Sequence, residues 1–162
     1  MTNPGTILHA DHAGTHYLRL IGDIRYPLAP SFDQFLQNIF ATTKPQEFIV
    51  DLAATDAIDS TNLGLLVKLA RFMGKQPVVL FSPREDINQI LISMGFDQFF
   101  RLVTYLPEAS TQNAVQIPLT ETNPTELGQT ILEAHRALIE MDARNELAFR
   151  DIVRYLEQEI TS

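Results

Sequence analysis

The residues best placed for chemistry form the run Asp59-Ser60-Thr61, in which two hydroxyl side chains follow an acid. The apolar residues after this run recur every three or four positions, which predicts a helix beginning near Ser60 with that serine as its N-cap. In one interpretation, Asp59 and Ser60 only satisfy the free amides of the first helical turn. In the other, Ser60 accepts a phosphate, because free amides and the helix dipole at an N-terminus both favour negative charge.

Histidines and aspartates supply the other candidate chemistry. The histidines are His9, His12, His16 and His135, and three aspartates near one strand end are Asp51, Asp56 and Asp59. No spacing of these residues completes a known metal-binding pattern, and no glycine-rich nucleotide fingerprint is present. The sequence contains no nucleophile or phosphate loop that would accompany a catalytic or Mg²⁺-binding role of the aspartates. We therefore expect no enzymatic activity, no metal and no cofactor.

Alternating strand and helix patterns should position these residues. Strands are predicted at Ile7–His9, Tyr17–Ile21, Phe48–Leu52, Pro77–Phe81 and Leu102–Leu106, and helices at 32–40, from Ser60 to Gly74, and from Pro83 to Gly95. Ser82 to Glu85 reads as a capping box that starts the third helix. The order predicts a mainly parallel or mixed α/β sheet whose first two strands are antiparallel.

The predicted second helix is apolar on two sides. One stripe comprises Leu63, Leu66, Val67, Ala70 and Met73, and a second comprises Leu65, Leu69 and Phe72. Either both stripes are buried, or the second stays partly exposed beside Ser60 as a docking surface. Gly64, one turn after Ser60, leaves room for another backbone to approach closely.

Composition bounds the class of protein. The 162 residues suit one domain, or one domain with an appendage, and the absence of cysteine excludes disulfides and thiolate sites. The start of the chain lacks signal-peptide features and no apolar run is long enough to span a bilayer, so we expect a cytoplasmic protein. The net charge of −8 argues against nucleic acid and anionic membranes as partners.

The C-terminal third is strongly acidic and helical in pattern. Residues 115–162 contain nine acids and four arginines, so we expect a solvent-facing or partner-facing appendage. Residues 108–122 read as a linker in which 115–119 could be extended, and the helical extension covers 123–162. We predict one long helix, with a hairpin broken near Asp142 to Asn145 as the alternative. Its apolar stripe must be buried on the domain or against another chain, for example in a homodimer.

Three segments of the chain resemble a known family. Asp59-Ser60-Thr61-Asn62-Leu63-Gly64 resembles the Asp-Ser-Ser/Thr-Gly-Leu-Gly signature of STAS domains, the anti-sigma factor antagonists of bacterial partner-switching systems. Gly22-Asp23-Ile24 is similar to the family's Gly-Glu-Leu turn, and Leu91 to Phe96 with Phe99-Phe100 is similar to its third-helix ending. The resemblance covers roughly residues 5 to 106. It implies a STAS fold over 1–107, with a mixed four- to five-stranded sheet and helices packed on it.

The resemblance also implies a function in signal transduction and transcription regulation. Ser60 would be phosphorylated, with Thr61 as the alternative acceptor, and the unphosphorylated form would bind an anti-sigma factor or serine kinase. A phosphatase would reverse the modification. The motif and partner-binding residues would be Asp59, Thr61, Asn62, Leu63, Gly64, Leu65, Arg25 and Lys68.

Two residues depart from the family pattern. Asn62 replaces a glycine, and Arg25 stands where many members carry an aspartate, which puts any nucleotide or Mg²⁺ contact there in doubt. The alternative function is a STAS scaffold subunit of a larger transport or signalling assembly, in which Ser60 is only a cap and no phosphoswitch operates.

Overall fold

A computed structural model of the chain describes residues 5–106 and 113–161. Its strands are β1 Thr6–His12, β2 Thr15–Ile24, β3 Glu47–Asp51, β4 Thr55–Ile58, β5 Val78–Phe81, β6 Arg101–Val103 and β7 Val115–Gln116. Its α-helices are α1 Ala29–Thr42, α2 Ser60–Met73, α3 Glu85–Ser93, α4 Pro124–Met141 and α5 Asn145–Thr161. Short 3-10 turns at Tyr26–Leu28 and Phe96–Gln98 lead into α1 and follow α3.

The strands form one mixed sheet in the order β6-β5-β3-β2-β1-β7, and β4 also pairs with β2. β1 is antiparallel to β2 and to β7, whereas β2, β3, β5 and β6 run parallel. The predicted mixed α/β sheet with a first antiparallel pair is therefore confirmed. The described residues contain seven strands, whereas the prediction was four to five. The strands that the prediction lacks are short, since β4 has four residues and β7 only two.

The core lies where the central strands meet α1 and α2. Leu18 and Leu20 of β2, Val50 of β3 and Leu66 of α2 are fully buried. The long apolar runs of β3 and β5 follow from this position, because a parallel strand covered on both faces has little room for polar side chains. The core therefore fixes α2 against the sheet and places its first turn at the sheet's edge.

The predicted single C-terminal helix is wrong, and the alternative hairpin is observed. Asp142 has extended backbone angles and its carboxylate accepts a hydrogen bond from the amide of Arg144 at 2.9 Å, which interrupts the helix. Asn123 is the N-cap of α4, because its side chain accepts from the amide of Glu126 at 2.8 Å. In the part of the chain that the structure describes, no helix is long and apolar enough to cross a membrane.

Two boundaries near α3 also differ from the prediction. Ser82 accepts from the amide of Arg84 at 3.3 Å instead of forming a capping box, so α3 begins at Glu85, later than the predicted Pro83. β6 covers Arg101–Val103, so it ends three residues before the predicted end at Leu106.

The predicted linker is only partly described, since 108–112 lie outside the described residues. Beyond them, Val115 pairs with His9, and the buried Ile117 donates its amide to the carbonyl of Ile7. This part of the predicted linker is therefore attached to the edge of the sheet.

Candidate functional site

The start of α2 is fixed by three hydrogen bonds of Asp59. Its amide donates to the carbonyl of Ile24 at 3.0 Å, which ties the end of β4 to the end of β2. Its carboxylate accepts from the backbone amide of Asn62 at 3.0 Å and from the Asn62 side chain at 2.9 Å. Asp59 is thus the N-cap and Ser60 the first helical residue, so the prediction that Ser60 is the cap is wrong by one position. A carboxylate suits the cap because it carries full negative charge at the positive end of the helix.

The Ser60 hydroxyl forms a hydrogen bond with a residue of the C-terminal hairpin. Its Oγ lies 2.8 Å from Nε2 of His135, and Nδ1 of His135 lies 2.7 Å from the carbonyl oxygen of Ile131. A carbonyl only accepts, so Nδ1 carries the proton and Nε2 of the neutral ring is an acceptor. The Ser60 hydroxyl therefore donates the hydrogen bond and Nε2 of His135 accepts it.

Burial keeps His135 neutral. Desolvation lowers the pKa of His135 below its usual 6.5, although the hydrogen bond to Ile131 and the charge of Asp59 act in the opposite direction. A neutral ring at pH 7 preserves the acceptor nitrogen that faces Ser60.

Most of the motif after Ser60 is buried. Thr61 is only 4% exposed, and the side chains of Asn62, Leu63 and Leu65 are essentially inaccessible. The residue that covers this face is Ala134 of α4. A Cβ added to Gly64 would lie 2.6 Å from the Ala134 carbonyl carbon and 2.7 Å from its Cα, so the missing side chain permits the contact. The close backbone approach predicted at Gly64 is confirmed, and α4 supplies the backbone.

Most residues of both apolar stripes of α2 are consequently covered. Leu65 and Leu69 of the second stripe are fully buried, and Phe72 is 44% exposed at the far end of the helix. The alternative that this stripe forms an exposed docking surface beside Ser60 is wrong for Leu65 and Leu69, because α4 and the sheet together enclose α2.

Two basic residues of α2 line the edge of this contact. Lys68 Nζ lies 2.8 Å from a carboxylate oxygen of Asp33 on α1 and 3.4 Å from one of Glu133 on α4. Arg71 lies 2.8 Å from a carboxylate oxygen of Glu140 on α4. The acids of the C-terminal third therefore pair with the basic edge of α2.

Arg25 remains accessible. It follows Ile24, whose carbonyl accepts from Asp59, so it lies close to the chain segment that begins α2. Its guanidinium pairs with Asp23 at 2.7 Å and its side chain is 57% exposed. Its neighbour Tyr26 is also exposed.

The remaining candidate groups lie elsewhere. His9 Nε2 contacts His16 Nδ1 at 2.9 Å beside the rings of Phe35 and Phe48, whereas His135 belongs to the Ser60 site. Asp51 pairs with Arg19 at 3.4 Å, and Asp56 lies 3.7 Å from Arg84. Within residues 5–106 and 113–161, no group of three or more histidine or carboxylate side chains could hold a metal ion.

The sequence did not reveal the connection between His135 and Ser60. The two residues are 75 positions apart, and nothing in the local pattern of either one indicates the other. An apolar stripe predicts that α4 must be buried, but it does not say against which element.

Solved structures of similar fold come from anti-sigma factor antagonists. One from Mycobacterium paratuberculosis is 24% identical, with a TM-score of 0.57 over 64% of this chain and 88% of that one. SpoIIAA in its unphosphorylated form is 14% identical, with a TM-score of 0.54 over 64% and 89%. The Bacillus cell fate determinant SpoIIAA in the phosphorylated form is 14% identical, with a TM-score of 0.50 over 64% and 92%. These likenesses concern the fold, and the sequence model of the STAS domain matches residues 8–110. The chain therefore belongs to the STAS domain family.

Proposed function

We propose that the protein is an anti-sigma factor antagonist that acts by phosphorylation-controlled partner switching in the cytoplasm. Its unphosphorylated form binds an anti-sigma factor or a serine kinase through the surface around Ser60. Phosphorylation of Ser60 ends that interaction, and a partner phosphatase restores it. The protein itself is not an enzyme.

The observation that carries this proposal is that Asp59, and not Ser60, is the N-cap of α2. Asp59 performs the capping, so the Ser60 hydroxyl makes no capping hydrogen bond to the helix backbone. Family membership and the fold shared with anti-sigma factor antagonists support the same function. Thr61 is the weaker acceptor because it is buried.

The electrostatics of this position suit a reversible switch. A phosphate would add a charge of about −1.5 to −2 at the first turn of α2, where the helix dipole favours an anion and the fold is preserved. The same charge would stand beside Asp59 and repel an acidic partner surface. Arg25 is the exposed residue near this end that could contact either the phosphate or the partner.

A second candidate function is a scaffold subunit without a phosphoswitch. The observation that favours it is the hydrogen bond between Ser60 and His135, which engages the hydroxyl within the molecule. In that function the motif would be a structural joint between α2 and α4.

Phosphosite mapping of the protein isolated from its host distinguishes the two functions. We expect a phosphorylated fraction at Ser60 that disappears in the Ser60→Ala variant. Ser93→Ala is the matched control, because Ser93 is an exposed helical serine far from this motif and its loss should leave the fraction unchanged. A protein that is never phosphorylated at Ser60 or Thr61 under any growth condition would contradict the switch and favour the scaffold.

A further inference from the structure

The helix α4 occupies the face of α2 that begins at Ser60, the residue around which the proposed function places a partner. Ala134, Ala137 and Leu138 of α4 belong to the same buried cluster as Leu65 and Leu69 of α2. At one end of the contact His135 holds the Ser60 hydroxyl, and in its middle Gly64 admits the α4 backbone. A partner and α4 could not occupy this face together.

A phosphate on Ser60 would change the contact with α4. The Ser60 hydroxyl donates to Nε2 of His135 at 2.8 Å, and a phosphoryl group would replace the proton that this hydrogen bond uses. Modification of Ser60 would therefore remove one of the hydrogen bonds that hold α4 against α2.

The outer part of the hairpin is exposed. Arg71 and Glu140 are both about half exposed or more, and such solvent-screened pairs contribute little stability. α5 packs on α4 and leaves Leu147 and Tyr155 exposed. Separation of the two helices from α2 would therefore be opposed mainly by the buried contacts of Ala134, Ala137 and Leu138.

The residues of α4 that contact α2 indicate which residue types a competing helix would need. Ala134 stands where the α4 backbone approaches Gly64, and Ala137 is a second small buried residue of α4. Acids seven positions apart, Glu133 and Glu140, meet the basic residues of α2. A competing helix would need the same small apolar stripe with acids along one edge.

We propose that α4 is an intramolecular occupant of the partner-binding face of α2, and that the partner inserts an amphipathic helix with a small-residue stripe and an acidic edge in its place. Closure by α4 engages the Ser60 hydroxyl and covers the motif residues that follow it. The inference rests on the proposed function for the identity of the partner, but the exchange of helices can be tested without that partner.

The chain has no native cysteine, so single thiols can report the opening of the hairpin. Ala137→Cys places a thiol on α4 at a position that is 1% exposed, and Val50→Cys places one in the centre of the sheet at a fully buried position. Local opening predicts that the Ala137→Cys thiol is labelled at least about tenfold faster than the Val50→Cys thiol, which becomes accessible only on unfolding. Equal labelling rates at the two positions would overturn the proposal.

Charge reversal on the hairpin should favour its open state over its closed state without changing the sequence of α2. Glu133→Lys with Glu140→Lys places like charges opposite Lys68 and Arg71, and we expect labelling of the Ala137→Cys thiol to accelerate about tenfold. The matched control is Glu146→Lys with Asp151→Lys, which makes the same charge change on the exposed surface of α5. Acceleration at Val50→Cys as well, or in the control to the same degree, would overturn local opening.

A synthetic peptide of residues 124–141 serves as the probe for a partner helix. We expect it to bind the charge-reversed protein at least about tenfold more tightly than the native protein, whose own α4 competes. The peptide carrying Glu133→Lys and Glu140→Lys should not bind. Equal binding of both peptides, or no binding to the opened protein, would contradict the proposed partner chemistry.

The outcomes separate this inference from the proposed function. If the peptide replaces α4 in a protein that is never phosphorylated, the inference about α4 stands and the phosphoswitch is rejected. Phosphorylation of Ser60 in a protein whose Ala137→Cys thiol is labelled only on global unfolding would support the switch and reject displacement of α4.

Discussion

At the start of α2, two adjacent side chains have different roles: Asp59 caps the helix, and Ser60 is the proposed site of modification. Asp59 satisfies the amide of Asn62, and Ser60 keeps its hydroxyl for another partner. Had Ser60 been the cap, phosphorylation would have changed the group that accepts the first hydrogen bond of α2. With Asp59 in that position, the helix keeps its cap in both modification states.

The sequence located this serine but not its environment. The acid, the hydroxyl and the following apolar spacing are local features, so they identify the start of a helix directly. The assignment of the cap to Ser60 failed because two adjacent residues are both good caps and only the backbone angles decide between them. His135 could not be found because its contact depends on how two distant helices pack.

A pair of histidines in contact, the half-buried His9 and the buried His16, gives a prediction for pH dependence. Burial, followed by the charge of His16, lowers the pKa of His9 to about 4, whereas the unfolded value is near 6.5. Because the folded pKa is depressed, the stabilisation is present above pH 6.5 and declines as pH falls towards 4. The lowered pKa values of His16 and His135 act in the same direction.

We therefore expect the unfolding free energy to fall between pH 7 and 5.5, with about 1 kcal/mol of that loss due to His9. Denaturant unfolding of His9→Asn should show a flatter pH profile by this amount. His12→Asn, at the exposed end of β1, is the control and should keep the wild-type slope. An unchanged slope in His9→Asn would show that protonation of this pair does not oppose folding.

At the scale of elements, the contact between α2 and α4 depends on one missing side chain. Gly64→Ala should favour the α2 helix by up to about 1 kcal/mol through its intrinsic propensity. The added methyl group would collide with the backbone of Ala134, which cannot rotate away. Overpacking of this kind costs about 1 to 3 kcal/mol, so we expect a net destabilisation of about 1 kcal/mol or a displaced hairpin.

Gly128→Ala provides the matched comparison for this substitution. Gly128 also lies within a helix, but nothing lies within 4 Å of a Cβ placed there. We expect it to raise the unfolding free energy by up to about 1 kcal/mol. Thermal unfolding of the two variants measures both effects, and a stabilised Gly64→Ala variant with unchanged labelling of α4 would contradict the close contact.

The elements predicted correctly are those with long or strongly bounded patterns. β3, α1 and the end of α2 at Gly74 follow from apolar periodicity and a glycine cap. The break between α4 and α5 was not preferred because no Gly or Pro marks it, and the apolar spacing continues across the three residues 142–144. The stop is made by the Asp142 side chain bonding to the amide of Arg144, which periodicity does not reveal.

At the scale of the molecule, the C-terminal acids join the domain instead of extending from it. Glu133 and Glu140 lie against Lys68 and Arg71, so part of the acidic excess is neutralised by the polar edge of α2. The expectation of a solvent-facing appendage holds for much of α5, where Leu147 and Tyr155 are exposed, and fails for α4. An amphipathic stripe can be buried on many surfaces, and the sequence alone does not choose among them.

Partner capture with defined phosphorylation states of the full-length protein tests the central claim most directly. The unmodified protein and the same protein carrying phosphoserine at position 60 are immobilised and exposed to host extract, and bound proteins are identified by mass spectrometry. Phosphoserine at position 93 is the control for a charge of the same kind at an exposed serine. We expect an anti-sigma factor or serine kinase to bind the unmodified and control proteins and to be lost when Ser60 is phosphorylated. Capture of the same anti-sigma factor or kinase by all three proteins would contradict partner switching through Ser60.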